Sequence, residues 1–597
     1  MNKELLKFFA GFFFAVVVLH IILVMSGIIP IAARGIVFDY SLWTTTLVLS
    51  LLLAILCSYL GWERKLANKI SIGVMFFVLA VSVMSGSYFF QKDDFGFVNN
   101  KLLTASVVDQ KKVGNNNQEL KSQQLNDLAY AFSLGSEGND EGKMVASDKE
   151  NNVYIIGSFN GTINLDINGK AEKTSLGGIG EGEDIYLVKY DRYGKYVWGM
   201  SLGSIGNDKP TALKIENSSV YISGYFGGKA DFDPSEKEFI LDSGIGRDGF
   251  IAKYDSDGRY LWAQKIGNQE NIPFEDNDMR FEQVSAIDID ENGNIYASGF
   301  FNDELSFIDK DEKEVKLIAT KYSKNIFLAK YDKDGNILKA VSFAGGIINE
   351  PRSIVVSKGE LFLSGIFNSK IAFNVNDPKK FSYTNGGQDL YLLKYDTDFN
   401  YSWSKKWGSL LDDNFNSMEI ANDGTLIFSG SFIGSINFQG KILKSYGNQD
   451  AFILKIDRSG NVVFAKSFGG LGADSSYYAI TDSVNNIYVV GYFSGIASFD
   501  NVSQQSVESF SSGDATDAFI AKYDNKGRLF WVRSLGGDVS LGDESQYFSG
   551  LAIDSLDYPI VTGTFAGNYN SEDINVSSNG AMDSIIIKYS PEGYKNN

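Results

Sequence analysis

The stretch DGFIAKYDSDGRYLW, Asp248 to Trp262, decides the fold, because six other versions of it recur along the chain. They read DIYLVKYDRYGKYVW from Asp184, NIFLAKYDKDGNILK from Asn325, DLYLLKYDTDFNYSW from Asp389, DAFILKIDRSGNVVF from Asp450, DAFIAKYDNKGRLFW from Asp517 and DSIIIKYSPEGYKNN from Asp583. Apolar and β-branched residues lead to a Lys and usually a Tyr, then turn residues, then a second apolar run, which is the chemistry of strand, turn and strand. The Lys falls at positions 189, 253, 330, 394, 455, 522 and 588. A period of about 60 to 77 residues is on the scale of a supersecondary unit repeated in an array or a propeller.

Outward from this element, each repeat carries further strands. A first strand reads WGMSLG from Trp198, WAQKIG from Trp262, FAKSFGG from Phe464 and WVRSLGG from Trp531, and a copy at Leu128–Gly135 precedes every hairpin. A second follows, such as TALKIE from Thr211 or VSAIDID from Val284, and a third reads VYISGYF from Val220, IYASGFF from Ile295 and PIVTGTF from Pro559. DGFIAKY is the fourth. Four strands, seven repeats and no helical crossover predict an all-β seven-bladed β-propeller of four-stranded antiparallel blades, since radial stacking buries both faces of each sheet and ring closure removes long edges. The first strand at Leu128 lacks a preceding hairpin partner, and the last fourth strand lacks a following one. Those two should pair and close the ring.

The recurring residues resemble the SBBP-type seven-bladed propeller repeat of bacterial surface and envelope proteins. The resemblance rests on the D-x-F-I-x-K-Y-D-x-x-G hairpin, the G-x-F closing each third strand (Gly157, Gly224, Gly299, Gly365, Gly430, Gly491, Gly563) and ADFDP at Ala230–Pro234. It covers Leu128 to Tyr589 and implies a fold and an extracytoplasmic location more than an activity.

Ahead of the repeats lie three apolar runs, near Phe8–Ile29, Leu42–Tyr59 and Ile70–Phe90, each without an acid, Lys or Arg and long enough to cross a bilayer as a helix. Residues 1–90 are therefore expected to be a three-span transmembrane anchor, 91–127 a polar linker rich in Asn, Gln and Lys, and 128–597 the propeller. Lys3 and Lys7 before the first run, and Arg64, Lys65 and Lys69 between the second and third, put the N-terminus inside and the propeller outside the cytoplasmic membrane. His20 lies within the first run and is read as a packed neutral imidazole.

The formal net charge is -19, and Met1 to Phe90 contributes six basic against three acidic residues, so the repeats are strongly acidic. That argues against nucleic acid as a partner. Beyond Phe90 the chain has neither His nor Cys, which removes His-based triads, Cys nucleophiles and His-ligated zinc. No enzymatic activity and no resident cofactor are expected, Ca2+ being the one ion for which a candidate site exists: Glu275, Asp276, Asp278 and Glu282. Asp288–Gly293 is read as a hairpin turn, since Gly299 stands where a Ca2+ loop needs its bidentate Glu.

Second-to-third and fourth-to-first connections are short, whereas first-to-second and third-to-fourth connections are long and variable. One rim is thus elaborated, and loops on a rigid scaffold are where binding sits. Phe274, Asn277, Met279 and Arg280, together with Asp543, Glu544 and Tyr547, are the candidate partner-binding residues. The expected function is a membrane-anchored scaffold that docks another envelope or cell-surface protein. The alternative is a glycan-binding or Ca2+-dependent adhesive module, suggested by the 14% aromatic content, and a more distant one is a polysaccharide lyase or quinoprotein-like enzyme. The D-x-x-G-x-x-x-W spacing is read as blade packing, and the seven lysines as paired or exposed groups rather than seven sites.

Overall fold

The computed structural model describes residues 129–177, 182–267, 281–311, 313–319, 323–500, 506–508, 515–536, 545–570, 574–580 and 582–593. The expected spans and the linker lie outside these residues, and no helix among the described residues is long and apolar enough to cross a membrane.

Seven antiparallel blades of four strands each follow one another along the chain, the outer strand of the fifth also pairing with a short strand of the sixth. Blade 1 runs from the inside outward as Glu141–Ser147, Val153–Phe159, Asp184–Tyr190 and Tyr196–Leu202, and the inner strands of blades 2 to 7 are Lys209–Glu216, Gln283–Ile289, Asn349–Ser357, Asn414–Ile420, Ser475–Thr481 and Tyr547–Ile553. Each inner strand touches the inner strands of both neighbouring blades, the last touching the first, so the ring is closed. The closure is the expected one: Tyr130–Leu134 forms the outer strand of blade 7, with Tyr130 opposite Lys588 and Leu134 opposite Ser584. The DGFIAKY element is the third strand of each blade in space. The strand after it is the outer one, and the long connection that follows crosses to the next blade.

Strand periodicity explains the core. Successive side chains point to opposite faces of a sheet, so Tyr154 and Ile156 pack into the seam with blade 2 while Val153 and Ile155 pack into the seam with blade 7. All seven hydrophobic clusters are such seams. A feature not read from the sequence fills their outer parts. In five blades the second-to-third connection carries a small hairpin, such as Thr162–Asn164 with Glu172–Thr174, and in blades 2 and 4 the strands themselves extend to Asp231 and Ile371. The Tyr of the repeat motif ties this excursion down: Tyr190, Tyr254 and Tyr523 donate their hydroxyls to the carbonyls of Leu165, Phe232 and Phe499 at 2.7, 2.8 and 3.1 Å.

The Lys and Trp of the motif fasten one blade to the next. Lys189 and Trp198 of blade 1 both donate to the Ser256 carbonyl in the outer turn of blade 2, at 3.0 and 3.1 Å. Lys522 and Trp531 converge in the same way on the Pro591 carbonyl at 3.2 and 3.4 Å. The glycine of the receiving turn leaves room for the indole: a Cβ on Gly258 would lie 3.0 Å from the Trp198 ring and one on Gly593 2.8 Å from the Trp531 ring. Both glycines also have positive φ, +81° and +86°, which other residues adopt only with strain. Blade packing is therefore the role of the recurring Trp.

Candidate functional site

The two rims differ in construction. The turn rim carries short reversals built on Asx chemistry. Asp290 accepts the backbone N–H groups of Asn292 and Asn294 at 2.9 Å each and the Asn294 amide at 2.8 Å, so Asp288–Gly293 is a hairpin turn. A shallow depression of about 480 Å3 between blades 4 and 5 also lies here. Most of its charges are paired, with Arg458 2.7 Å from Glu360 and Asp423 2.8 Å from Lys455.

The other rim holds the crossovers and the channel mouth. Each inner strand carries a bulge near its crossover end, at Lys143, Thr211, Ser285, Arg352, Asn416, Tyr477 and Ser549. A bulge re-aims its extra side chain and breaks the two-residue alternation. Small bulge residues stitch neighbouring blades together: Thr211 Oγ1 donates to the Val284 carbonyl at 2.6 Å, and Asn416 Nδ2 to the Ser476 carbonyl at 2.9 Å. The large ones stand at the mouth. Glu141 is 3.2 Å from Lys143 and 3.8 Å from Lys209, which is also 2.7 Å from Glu183. Glu350 pairs with Lys324 and Arg352, both at 3.1 Å. Burial would raise the Glu141 carboxyl, but Lys143 and Lys209 hold it below its ordinary value.

Tyr547, one of the sequence candidates, lies in this ring. Its hydroxyl is 3.3 Å from Glu141 Oε1, and its ring meets Tyr477 edge to face at 5.6 Å, with Tyr492 on the other side of Tyr477 at 5.4 Å. Burial, with the Glu141 charge second, pushes the Tyr547 phenol well above its usual range. Farther along the channel, Lys214 of blade 2 reaches Asp288 of blade 3 at 3.3 Å and Glu419 of blade 5 at 3.6 Å. Tyr478 of blade 6 donates to Glu419 at 2.5 Å, and Asp288 accepts the Val356 N–H of blade 4 at 2.7 Å. Five blades are joined by this charged cross-tie.

The crossover tips are apolar. Ile205, Ile347, Leu410 and Leu471 are 78%, 69%, 80% and 76% exposed. They occupy equivalent crossovers between blades 1 and 2, 3 and 4, 4 and 5, and 5 and 6, with exposed Leu176, Tyr383 and Tyr446 on the adjoining connections. Neither this crown nor the bulges was expected from the sequence. The crown had a signal, an aliphatic residue set among Ser, Gly, Asn and Asp in SIGND, SLLDD and GLGAD; a bulge has none, because it appears only as a broken alternation.

Of the other candidates, Phe274, Glu275, Asp276, Asn277, Asp278, Met279, Arg280, Asp543 and Glu544 lie outside the described residues. Glu282 is 1% exposed at a seam, where its N–H donates to the Arg247 carbonyl at 3.0 Å. No group of three or more acids, His or Cys suited to a metal ion occurs among the described residues.

No family model matches the chain. It is 24% identical to an uncharacterized WD repeat-containing protein of Acanthamoeba polyphaga mimivirus over 555 residues, covering 78% of this chain and 38% of that protein. It is 23% identical to the regulatory protein FlaEY of Caulobacter vibrioides over 354 residues, covering 57% of this chain and 34% of that one. The match thus spans little more than a third of each curated relative. Among solved structures, Chaetomium thermophilum Raptor aligns with 80% of this chain and 31% of its own at a TM-score of 0.37 and 8% identity. The seven-bladed arrangement itself makes the chain a propeller repeat protein.

Proposed function

We propose that the protein is a non-enzymatic interaction scaffold of the SBBP type, anchored in the cytoplasmic membrane through residues 1–90, whose crossover rim docks an envelope or cell-surface protein. The observation that carries this reading is the crown: four aliphatic side chains, each at least 69% exposed, repeat at equivalent crossovers of a rigid ring. Solvated loops have no reason to repeat a large apolar residue at equivalent positions, whereas an interaction surface does. The ion-paired mouth beside it supplies the polar part of such an interface.

The test is purification of the full-length protein from native membranes in mild detergent, beside a Leu410→Asp/Leu471→Asp variant and a chain stopped at Asp127. A partner recovered in fixed ratio with the unaltered protein, and lost from both others, is the expected result. A partner kept by the chain stopped at Asp127 would move the function to the membrane segments. A second reading, a glycan-binding module, draws on the Tyr477, Tyr492 and Tyr547 rings at the mouth. Binding on a glycan array that Tyr477→Ala abolishes would favour it over the scaffold.

A further inference from the structure

Seven arginines lie among the described residues, and the two rims use them differently. Five are spent at the turns. Arg192 donates to the Glu150 carbonyl at 2.8 Å, Arg458 to the Gly424 carbonyl and Arg533 to the Gly593 carbonyl at 3.1 Å each, while Arg259 and Arg528 bond Asp257 and Asp524 at 3.0 and 2.6 Å. The other two belong to the crossover rim. Arg352, the bulged residue of the blade 4 inner strand, is 37% exposed at the mouth and touches only Glu350, at 3.1 Å through one terminal nitrogen. Arg247, half-buried where blade 2 meets the start of blade 3, has no ion pair and no side-chain hydrogen bond among the described residues. Its guanidinium lies over the rings of Tyr225 and Phe281 instead, 5.1 and 5.5 Å from their centres.

A guanidinium has five N–H donors, accepts nothing and stays charged at any ordinary pH. Half-buried without acceptors, Arg247 forfeits bonds to water that nothing in the chain returns. Stacking on aromatic faces recovers part of that loss and fixes the plane of the group, so its N–H edges are oriented before a ligand arrives. The two arginines serve one surface. The Glu141 charge is felt by the Tyr225 phenol, which also feels Arg247, and by the Tyr477 phenol, which also feels Arg352. Burial, the leading cause, raises both phenols, and neither makes a hydrogen bond, so they are donors as well. The carboxylates of this surface are already shared. Glu141 pairs with Lys143 and Lys209, Glu183 with Lys209, and Glu350 with Lys324 and Arg352. The surplus is one of donors.

We propose that these donors receive the carboxylates of an acidic, aliphatic segment of the partner protein, with Arg247 and Arg352 as its two anchors. The inference rests on the scaffold reading and names the chemistry of the partner that the crossover rim takes. A planar guanidinium fork matches a carboxylate through two parallel bonds, which gives direction as well as strength. The neighbouring tips select the rest of the segment. Exposed Ile347 stands in the crossover that leads into the Arg352 strand, and exposed Ile205 in the one that leads to Lys209. An aliphatic tip covers apolar side chains, which an acidic sugar chain lacks, and the Tyr477 ring is already flanked by Tyr492 and Tyr547 at 5.4 and 5.6 Å. A peptide that alternates Glu with Leu meets both demands.

The test is fluorescence anisotropy of a labelled peptide alternating Glu and Leu, added to the full-length protein in detergent, beside the same peptide with Gln in place of Glu. The Glu peptide should bind, and added salt should weaken it. Arg247→Gln and Arg352→Gln should each lower its affinity about tenfold or more, with little change in melting temperature, since neither guanidinium has a hydrogen bond to lose. Equal binding of the Glu and Gln peptides, or undiminished binding by both arginine variants, overturns the proposal. Displacement of the peptide by polygalacturonate at equal carboxylate concentration would assign the site to an acidic glycan and overturn it as well. The scaffold reading is judged separately, by the partner recovered from native membranes. A partner lost from Leu410→Asp/Leu471→Asp but kept by Arg247→Gln/Arg352→Gln would leave the crown standing and remove the acidic anchors. A partner kept by the leucine variant and lost from the arginine one would do the reverse.

Discussion

The turn rim and the crossover rim are furnished with the same residue to opposite effect. At most turns, an aspartate opens the reversal and receives the N–H groups two and four positions on; Asp457 accepts Ser459 and Asn461 at 2.9 and 2.8 Å, and the Asn461 amide at 2.9 Å. Burial alone would raise such carboxyls, yet these bonds overcome it and hold Asp332, Asp396, Asp457 and Asp524 below their ordinary value. At the crossovers, aspartates from successive blades are packed against each other away from water, and burial wins. What differs is the depth of burial, not the residue. A hairpin turn aims consecutive N–H groups at one point near solvent, whereas Asp140 at a crossover accepts the Ser136 N–H and hydroxyl and the Asn160 N–H and is raised all the same, because it is 1% exposed.

The largest effect is expected where the turn rim departs from its own rule. Lys588 lies 2.8 Å from Asp554 with both side chains fully shielded, whereas its counterpart Lys330 is 3.7 Å from Asp398, which is 80% exposed. Lys588→Met should cost about 3–5 kcal/mol by leaving a buried charge unpaired, and Lys330→Met about 1 kcal/mol or less. Denaturant unfolding of the two variants measures the difference; equal costs would mean that burial does not separate these sites.

Gly408→Ala comes next. Its Cβ would lie 2.1 Å from Oδ1 of the buried Asp389, and overpacking of that kind costs about 1–3 kcal/mol. At Gly359 on the turn rim nothing lies within 4 Å and only the positive φ of +74° opposes a side chain, so Gly359→Ala should cost about 1 kcal/mol. A melting temperature lowered more by the Gly359 change would reverse this reading of the two rims.

Exchanging the aspartates themselves gives a smaller effect with opposite signs. Asp457→Ala removes three accepted bonds and should cost about 1 kcal/mol at pH 7, as the loss of a helix cap does. Asp450→Asn keeps the shape of its pair and removes its charge, so at pH 8 it should be neutral or stabilising. The acid limb follows from the turn rim. Carboxyls held low contribute fully above about pH 4, and that contribution is lost as pH falls through their lowered values. Unfolding below pH 4 should therefore be less steep in Asp457→Ala.

The repeat, the strand count and the ring closure were legible because they depend on local apolar patterning and on two unpaired strands at known positions. The roles of the motif residues were only half legible. The Lys at 189 and the Trp at 198 were visible as repeats, but the single carbonyl they share, that of Ser256, belongs to the next blade. Asp184 stood in the motif and Asp208 beside an obvious strand, yet only folding buries both at one crossover, where the Asp208 N–H donates to the Glu183 carbonyl at 2.8 Å. Tyr547 was found because its loop is long, whereas Tyr477 beside it was not, since its placement depends on a bulge.

The smallest effect concerns the one seam that breaks the aromatic-on-glycine rule. Where other blades set an aromatic ring on the next blade's turn glycine, Lys339 reaches over Phe399, with Nζ 2.5 Å from the Asp398 carbonyl and 5.7 Å from the ring centre. Phe399 is 2% exposed with a φ of +61°, a conformation that costs a bulky residue about 1–2 kcal/mol. Its ring fills the place an indole takes elsewhere, and it meets Tyr296 edge to face at 6.3 Å. Lys339→Trp alone should clash with that ring, and Phe399→Gly alone should relieve the strain while leaving a void. The double variant rebuilds the seam seen at Trp198 and Gly258, so it should be more stable than the sum of the single changes by about 1 kcal/mol, a coupling within the range for residues in contact. Additive single effects in a double-mutant cycle would show that lysine and phenylalanine hold this seam independently, and that aromatic-on-glycine contact is a habit of the sequence and not a unit of the turn rim.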